Sequence, residues 1–175
     1  ARLLRQSISN EDETVLIGQE IQYVKSYLTI QKMRYKDKLE FEINVDPSIN
    51  SVHIVKLVLQ PIVENAIYHG LKYKESKGML TVNGYQKDEN AVIEIADDGV
   101  GMDEDKIKEL NRENISSNEK SFGLRGTIER MRIFYESDND YTIQTTKEKG
   151  TTIVLRVPVC YEGDEGHDES IACGG

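Results

Sequence analysis

Apolar positions in this chain change their period several times, and each change marks an element. Ile21, Val24, Leu28 and Tyr35 recur at helical spacing, so residues 19 to 36 read as an amphipathic helix whose apolar face packs on a core or on a partner. Leu39, Phe41, Ile43 and Val45 then alternate with Glu40, Glu42 and Asn44, the period of a half-buried strand, and Asp46-Pro47 ends it. A second helix is predicted over about 52 to 69, with Val55, Leu59, Ile62 and Ala66 on one side and Gly70 placed to stop it. Pro61 has no amide proton, so it kinks that helix or starts a new segment. Residues 79 to 86 and 91 to 96 read as paired strands around a polar turn, and a third helical pattern over 123 to 135 carries Leu124, Ile128, Met131 and Tyr135. Two closing strands, 141 to 147 and 151 to 159, flank the turn Glu148-Lys149-Gly150. This mixed order predicts an α/β fold, a two-layer sandwich in which helices cover one face of a mixed β-sheet.

The remaining segments set the domain plan. Residues 103 to 122 are hydrophilic, with a short helix predicted over 104 to 111, and so much chain with few apolar anchors is expected to form a mobile lid. Residues 1 to 18 read as a lead-in from something upstream, 19 to 160 as the domain, and 161 to 175 as an acidic, aperiodic tail expected to be disordered. The length of 175 residues suits one domain, and the charged fraction of 30% with a mean hydropathy of -0.54 suits a soluble globular chain. No apolar run is long enough to cross a bilayer, and no signal-peptide pattern opens the chain.

Charge narrows the partners. A net charge of -9 argues against general nucleic-acid binding, so any phosphate ligand must be met locally. Cys160 and Cys173 lack CxxC spacing, which suggests neither a zinc site nor a disulfide framework and fits free thiols in a reducing compartment.

Four short patterns carry candidate chemistry. Glu64 and Asn65 sit side by side in a largely apolar helical run, and burying such groups costs free energy unless they find partners, either in the fold or in a ligand. Asp97-x-Gly99-x-Gly101 follows directly on a hydrophobic strand, where a carboxylate faces a pocket and glycines permit close backbone approach; the same letters also spell an ordinary turn. Gly123 and Leu124 open a helix, whose free amides and dipole suit an anion, with Arg125 nearby; a plain glycine hinge is the alternative. Gly150-Thr151-Thr152 opens the last strand, where a hydroxyl can reach a ligand or threonine can serve only as a good strand former. Neither a GxGxxG after the first strand nor a GxxxxGK[ST] is present, which excludes the Rossmann and P-loop plans.

Taken in order, ENxxxHG, DxGxG, a Gly-Leu helix start and a final Gly-Thr resemble the Bergerat ATP-binding fold of the gyrase, chaperone, histidine-kinase and mismatch-repair superfamily. The run Leu59-Gln60-Pro61-Ile62-Val63-Glu64-Asn65-Ala66 with His69-Gly70 is similar to the sensor histidine kinases of the LytS and YesM type, as are Tyr27 to Tyr35 and Gly123-Leu124-Arg125 with Glu129-Arg130-Met131. The likeness spans roughly residues 13 to 159. It implies ATP and Mg²⁺ as cofactors. Asp97 would accept from the adenine amino group, Gly99 and Gly101 would let the ligand approach, and Asn65 would hold the metal. Glu64 would assist proton removal or orient the nucleophile, and His69 would line the phosphate end. Gly123 and Leu124 would offer amides to the phosphates, with Thr151 at the final box.

The same resemblance implies transfer of the ATP γ-phosphoryl to a histidine on a separate dimerisation domain and then to a response regulator, in a membrane-anchored homodimer whose catalytic domain is cytoplasmic. None of His53, His69 and His167 has the sequence context of that acceptor histidine. Two positions depart from the pattern: Ser121 replaces a usual glycine and Gly126 a usual asparagine, both on the lid and phosphate side. Two other readings stand beside this one: a stand-alone ATPase in which Glu64 activates water, and a nucleotide-binding module with little or no phosphoryl transfer.

Overall fold

The computed structural model describes residues 13–103, 107, 123–135 and 141–159. Most of the expected lid, Ser121, the expected tail and the start of the lead-in lie outside them. Strand β1 (Thr14–Leu16) passes into helix α1 (Ile17–Tyr35), followed by β2 (Leu39–Val45) and β3 (His53–Val55). Helix α2 (Leu59–Asn65) continues as a π-helical turn (Ala66–Gly70) and a 3₁₀ turn (Leu71–Tyr73). Then come β4 (Gly78–Lys87), β5 (Asn90–Asp97), α3 (Leu124–Tyr135), β6 (Tyr141–Thr146) and β7 (Gly150–Pro158).

Five strands form one mixed sheet in the order β2-β4-β5-β7-β6, with β2 parallel to β4 and every other pair antiparallel. The register stacks apolar residues in rows across one face: Ile43, Val82, Ile95, Ile153 and Ile143 form one such row. These rows share a core with Ile17, Val24 and Leu28 of α1, Leu59 and Ile62 of α2, and Ile128 and Met131 of α3. The period of two thus puts one face of each strand against helices, while Glu40, Glu42, Asn83 and Arg156 point the other way. The fold is the expected mixed sheet under helices.

The predicted long helix over 52 to 69 is corrected. His53–Val55 is a strand that pairs antiparallel with Thr14–Leu16, and the helix begins only at Leu59. Pro61 is the third residue of α2, where its missing amide proton breaks no helical hydrogen bond, so it opens the segment rather than kinking it. Part of the expected lead-in also carries structure: Ile17 is fully buried, its amide donates to the Val52 carbonyl at 2.8 Å, and the Gly18 amide donates to the Asn50 carbonyl at 3.1 Å. Truncating Ile17 to alanine is therefore expected to cost about 2–4 kcal/mol in urea unfolding, the usual penalty for a large cavity. A loss below about 1 kcal/mol would mean that residues 14–18 are not integral to the core.

Candidate nucleotide site

One row of the inner sheet face changes from apolar to polar at its end. Register places Leu80 opposite Asp97, Asp97 opposite Thr151, and Thr151 opposite Thr145. The Thr145 hydroxyl accepts from the Met102 amide at 2.9 Å, donates to the Gly150 carbonyl at 3.1 Å and lies 3.0 Å from the Thr151 hydroxyl. With its single proton given to Gly150, Thr145 leaves Thr151 as the donor between them. The hydroxyls are satisfied within the fold, so their burial carries no penalty.

Asp97 is the charged centre of this end. It is only 8% exposed, and the Gly99 amide donates to its Oδ1 at 2.9 Å. Burial pushes its pKa from 3.8 up to about 6, against the pull of hydrogen bonds from the Gly99 and Thr151 amides; Asp98 adds to the rise and Lys74 opposes it. Lys74 is committed to Asp98 at 2.6 Å, while the other Asp98 oxygen accepts from the Met79 amide at 2.8 Å.

The end of the α2 segment closes over this carboxylate. A Cβ at Gly70 or at Gly99 would stand 2.6 Å from Asp97 Oδ1, and one at Gly99 would also run into the Gly70 backbone, so both positions require glycine. The Val100 amide donates to the Gly70 carbonyl at 3.2 Å, tying the loop after β5 to the helix end. The π turn over Ala66–Gly70 is what delivers Gly70 there; such widened turns recur at functional sites.

Of the residues expected from sequence, Asp97, Gly99 and Thr151 are gathered at one row end, and Gly101, at φ +70°, packs against the backbone of Thr146. Asn65 is the half-buried last residue of α2, and His69 is exposed in the π turn that reaches Asp97. Glu64, also half-buried, accepts from Gln60 Nε2 at 3.0 Å. Its neighbourhood is α1: burial raises the Tyr27 phenol well above its usual value, and Tyr68 and Glu64 add to that rise. Gly123 is exposed with open space around it, whereas the Leu124 side chain lies in the core, leaving only its backbone for a ligand. The helix start is real, since the Thr127 amide donates to the Gly123 carbonyl at 3.0 Å and the amides before it have no partner within the helix.

Sequence reasoning missed Thr145, and it read Gly70 as a helix stop and as the end of the ENxxxHG pattern, without its contact with Asp97. It also passed over Glu20, although Glu20 falls on the apolar stripe of α1 between Ile17 and Val24, which was the available signal. No group of three or more His, Cys, Asp and Glu side chains suited to a metal ion occurs among the described residues.

The raised pKa of Asp97 has a consequence for stability. Because the folded carboxyl holds its proton to about pH 6 and the unfolded one only to 3.8, ionisation disfavours the fold progressively between those values, and the penalty is complete above them. Asp97→Asn is expected to stabilise the ligand-free chain by about 1–2 kcal/mol at pH 7.5 and to change little at pH 4. Urea unfolding at the two pH values checks this, and an equal effect at both would contradict the buried-carboxylate account.

The sequence and the fold both have known relatives. Residues 51–160 match the family described as histidine kinase-, DNA gyrase B- and HSP90-like ATPase, and residues 1–39 match the family described as histidine kinase. The chain is 29% identical over 162 residues to the sensor protein LytS of Oceanobacillus iheyensis, covering 90% of this chain and 28% of that protein. It is 31% identical over 156 residues to the sensor histidine kinase YesM of Bacillus subtilis, covering 89% of this chain and 26% of that protein. The chain thus spans about a quarter of the length of these relatives. Among solved structures, the fold is shared with the histidine kinase domain of the blue-light activated kinase of Erythrobacter litoralis, at a TM-score of 0.60 and 14% identity, covering 83% of this chain and 62% of that one. It is shared too with the histidine kinase domain of the E. coli osmosensor EnvZ, at a TM-score of 0.55 and 17% identity, covering 90% of this chain and 95% of that one. On the match over more than half its length, the chain belongs to the histidine kinase-, DNA gyrase B- and HSP90-like ATPase family.

Proposed function

We propose that this chain is the catalytic, ATP-binding domain of a sensor histidine kinase. The observation that carries this reading is the buried Asp97 carboxylate, packed against the Gly70 end of the Asn65-bearing helical segment in the same sheet row as the Thr151 and Thr145 hydroxyls. A carboxylate there accepts from the exocyclic amino group of adenine and refuses guanine, which presents a carbonyl at that position. The amides at the start of α3, at Gly123 and Leu124, which have no partner within the helix, suit the phosphates, and His69 would line the phosphate end.

Magnesium fits the residues present. Mg²⁺ keeps several waters and takes one or two protein oxygens together with substrate phosphates, so the half-buried Asn65 carboxamide is a sufficient protein ligand and a box of carboxylates is not required. When bound, the ion neutralises phosphate charge. The rest of the work is positioning. In the transfer itself the bond between the γ-phosphorus and the β–γ bridging oxygen breaks, a phosphorus–nitrogen bond forms to an acceptor imidazole, and the imidazole proton leaves; Glu64 is the group that would receive it or orient the ring.

The acceptor histidine belongs to a dimerisation domain outside this chain, and the phosphoryl group passes from it to an aspartate of a response regulator. The relatives' greater length supports that arrangement, as does their description as sensor proteins and sensor histidine kinases; on this reading the full-length protein is a membrane-anchored homodimer whose catalytic domain lies in the cytoplasm. No helix among the described residues is long and apolar enough to cross a membrane.

Calorimetric titration of ADP and a non-hydrolysable ATP analogue, with and without magnesium, tests the reading. The native chain is expected to bind both adenine nucleotides and to reject the guanine analogue, and Asp97→Asn to lose about 10- to 100-fold in affinity, the worth of a charged hydrogen bond. Asn65→Ala should remove the magnesium dependence and keep the preference for adenine. Affinity should also fall as the pH drops below about 6, where Asp97 takes up its proton. A folded native chain that binds no nucleotide, or binds guanine equally well, would defeat the proposal.

A further inference from the structure

Four described residues other than glycine have a left-handed backbone, and three of them, Lys36, Asp88 and Glu148, are polar residues in turns between elements. The fourth is Leu57, at φ +56° and 56% exposed, two residues before α2 begins. A left-handed conformation costs an ordinary residue about 1–2 kcal/mol, so something must hold it. The surrounding structure does so from both sides. Glu20 of α1, 2% exposed, accepts from the Leu57 amide with Oε1 at 2.8 Å and from the Leu59 amide with Oε2 at 3.2 Å. Arg130 of α3 donates through Nη2 to the carbonyls of Lys56 at 2.9 Å and of Leu57 at 2.7 Å.

This clasp joins two elements that frame the phosphate end of the site. Helix α2 carries Asn65 at its far end, and α3 begins at Leu124, about 9 Å along its axis from Arg130. Both helices also contribute apolar side chains to the shared core, among them Leu59, Ile62, Ile128 and Met131. Apolar packing keeps helices together but is non-directional. The two hydrogen bonds from Arg130 are directional, and they set how far α3 stands along α2. The other end of the α2 segment is pinned separately, because Gly70 lies against Asp97 and its carbonyl accepts from the Val100 amide.

We infer that Arg130 is a positioning residue for the phosphate end of the site: by clasping Leu57 against Glu20, it holds the start of α3 at the offset from Asn65 that a metal-bound triphosphate requires. This rests on the nucleotide reading proposed above. Arg130 touches no ligand in this account. A purely structural Arg130 would, on removal, lower stability and weaken every nucleotide alike. A positioning Arg130 acts selectively, because adenine is recognised at Asp97, beyond the separately pinned end of the α2 segment.

The test compares the native 175-residue chain with Arg130→Met and Arg130→Lys by calorimetry, using ADP without magnesium and a non-hydrolysable ATP analogue with magnesium. The expected result for Arg130→Met is an ADP affinity within about twofold of native and a loss of about tenfold for the magnesium-triphosphate analogue. Arg130→Lys, a point charge without the planar fork, should lose about threefold for the analogue alone. Glu20→Gln, acting on the same turn, should shift the ratio in the same direction. Equal weakening of both ligands, or an unchanged ratio, overturns the inference. If Arg130→Met fails to fold, the lysine variant decides, and a native ratio there overturns it as well. A folded native chain that binds neither ligand removes the nucleotide reading and this inference with it, a failure distinguished by appearing before any substitution is made.

Discussion

Everything at the candidate site depends on keeping the Asp97 carboxylate out of water without neutralising it with a cation. An ionised carboxyl resists burial, and the rise of its pKa to about 6 measures how far the fold has pushed it. Two backbone amides offset part of the cost, and Lys74, the neighbouring cation, pairs with Asp98 instead. Asp97 is thus left charged at neutral pH with acceptor capacity in an apolar setting, where a hydrogen bond to a ligand is worth more than in water. The glycines at 70 and 99 are the steric condition for this, since any side chain at either position would occupy the space of the carboxylate.

The sheet supplies the gradient on which the site stands. One row in from the site the inner face reads Ile43, Val82, Ile95, Ile153 and Ile143, and at the site the same strands present Phe41, Leu80, Asp97, Thr151 and Thr145. A fully apolar row next to a partly polar one gives Asp97 rigid neighbours on one side, and the Gly70 and Gly99 backbones cover it on the other. The Thr145 hydroxyl, with the Met102 amide, the Gly150 carbonyl and Thr151 as partners, finishes the polar row without needing water. The polar end is built into the sheet rather than hung on a loop, which is how such groups are held to useful precision.

Much of this was legible in the sequence because strand alternation and helical spacing are local. The alternation in 39–45 and the apolar spacing in 123–135 needed no distant information, and the short motifs named Asp97, Gly99 and Thr151 together. The strand at His53–Val55 was not legible, because Val52, Val55, Leu59 and Ile62 satisfy a helical period equally well. What decides is pairing with Thr14–Leu16, some forty residues earlier in the chain. The partners of Glu20 were hidden for the same reason: its place on the apolar stripe of α1 marks a buried carboxylate, but the amides it accepts from, at Leu57 and Leu59, lie far along the chain. Thr145 required the β6–β7 register, and the contact of Gly70 with Asp97 required the π turn, neither of which any short pattern encodes.

The charge of the chain fits this division of labour. At a net -9 the molecule as a whole repels a polyanion such as ATP, yet at physiological salt that repulsion is screened beyond about 8 Å. Only groups within that range decide, and on the proposed reading those at the phosphate end would be the amides at the start of α3, the Asn65 carboxamide, His69 and the half-buried Arg125. Arg130 is not among them, since its guanidinium is turned to the carbonyls of Lys56 and Leu57. One arginine of α3 thus lies by the helix start and another fixes where that start stands. In a site whose protein donors are mostly backbone dipoles, the second role matters as much as the first, because a dipole's influence falls off within a single helical turn.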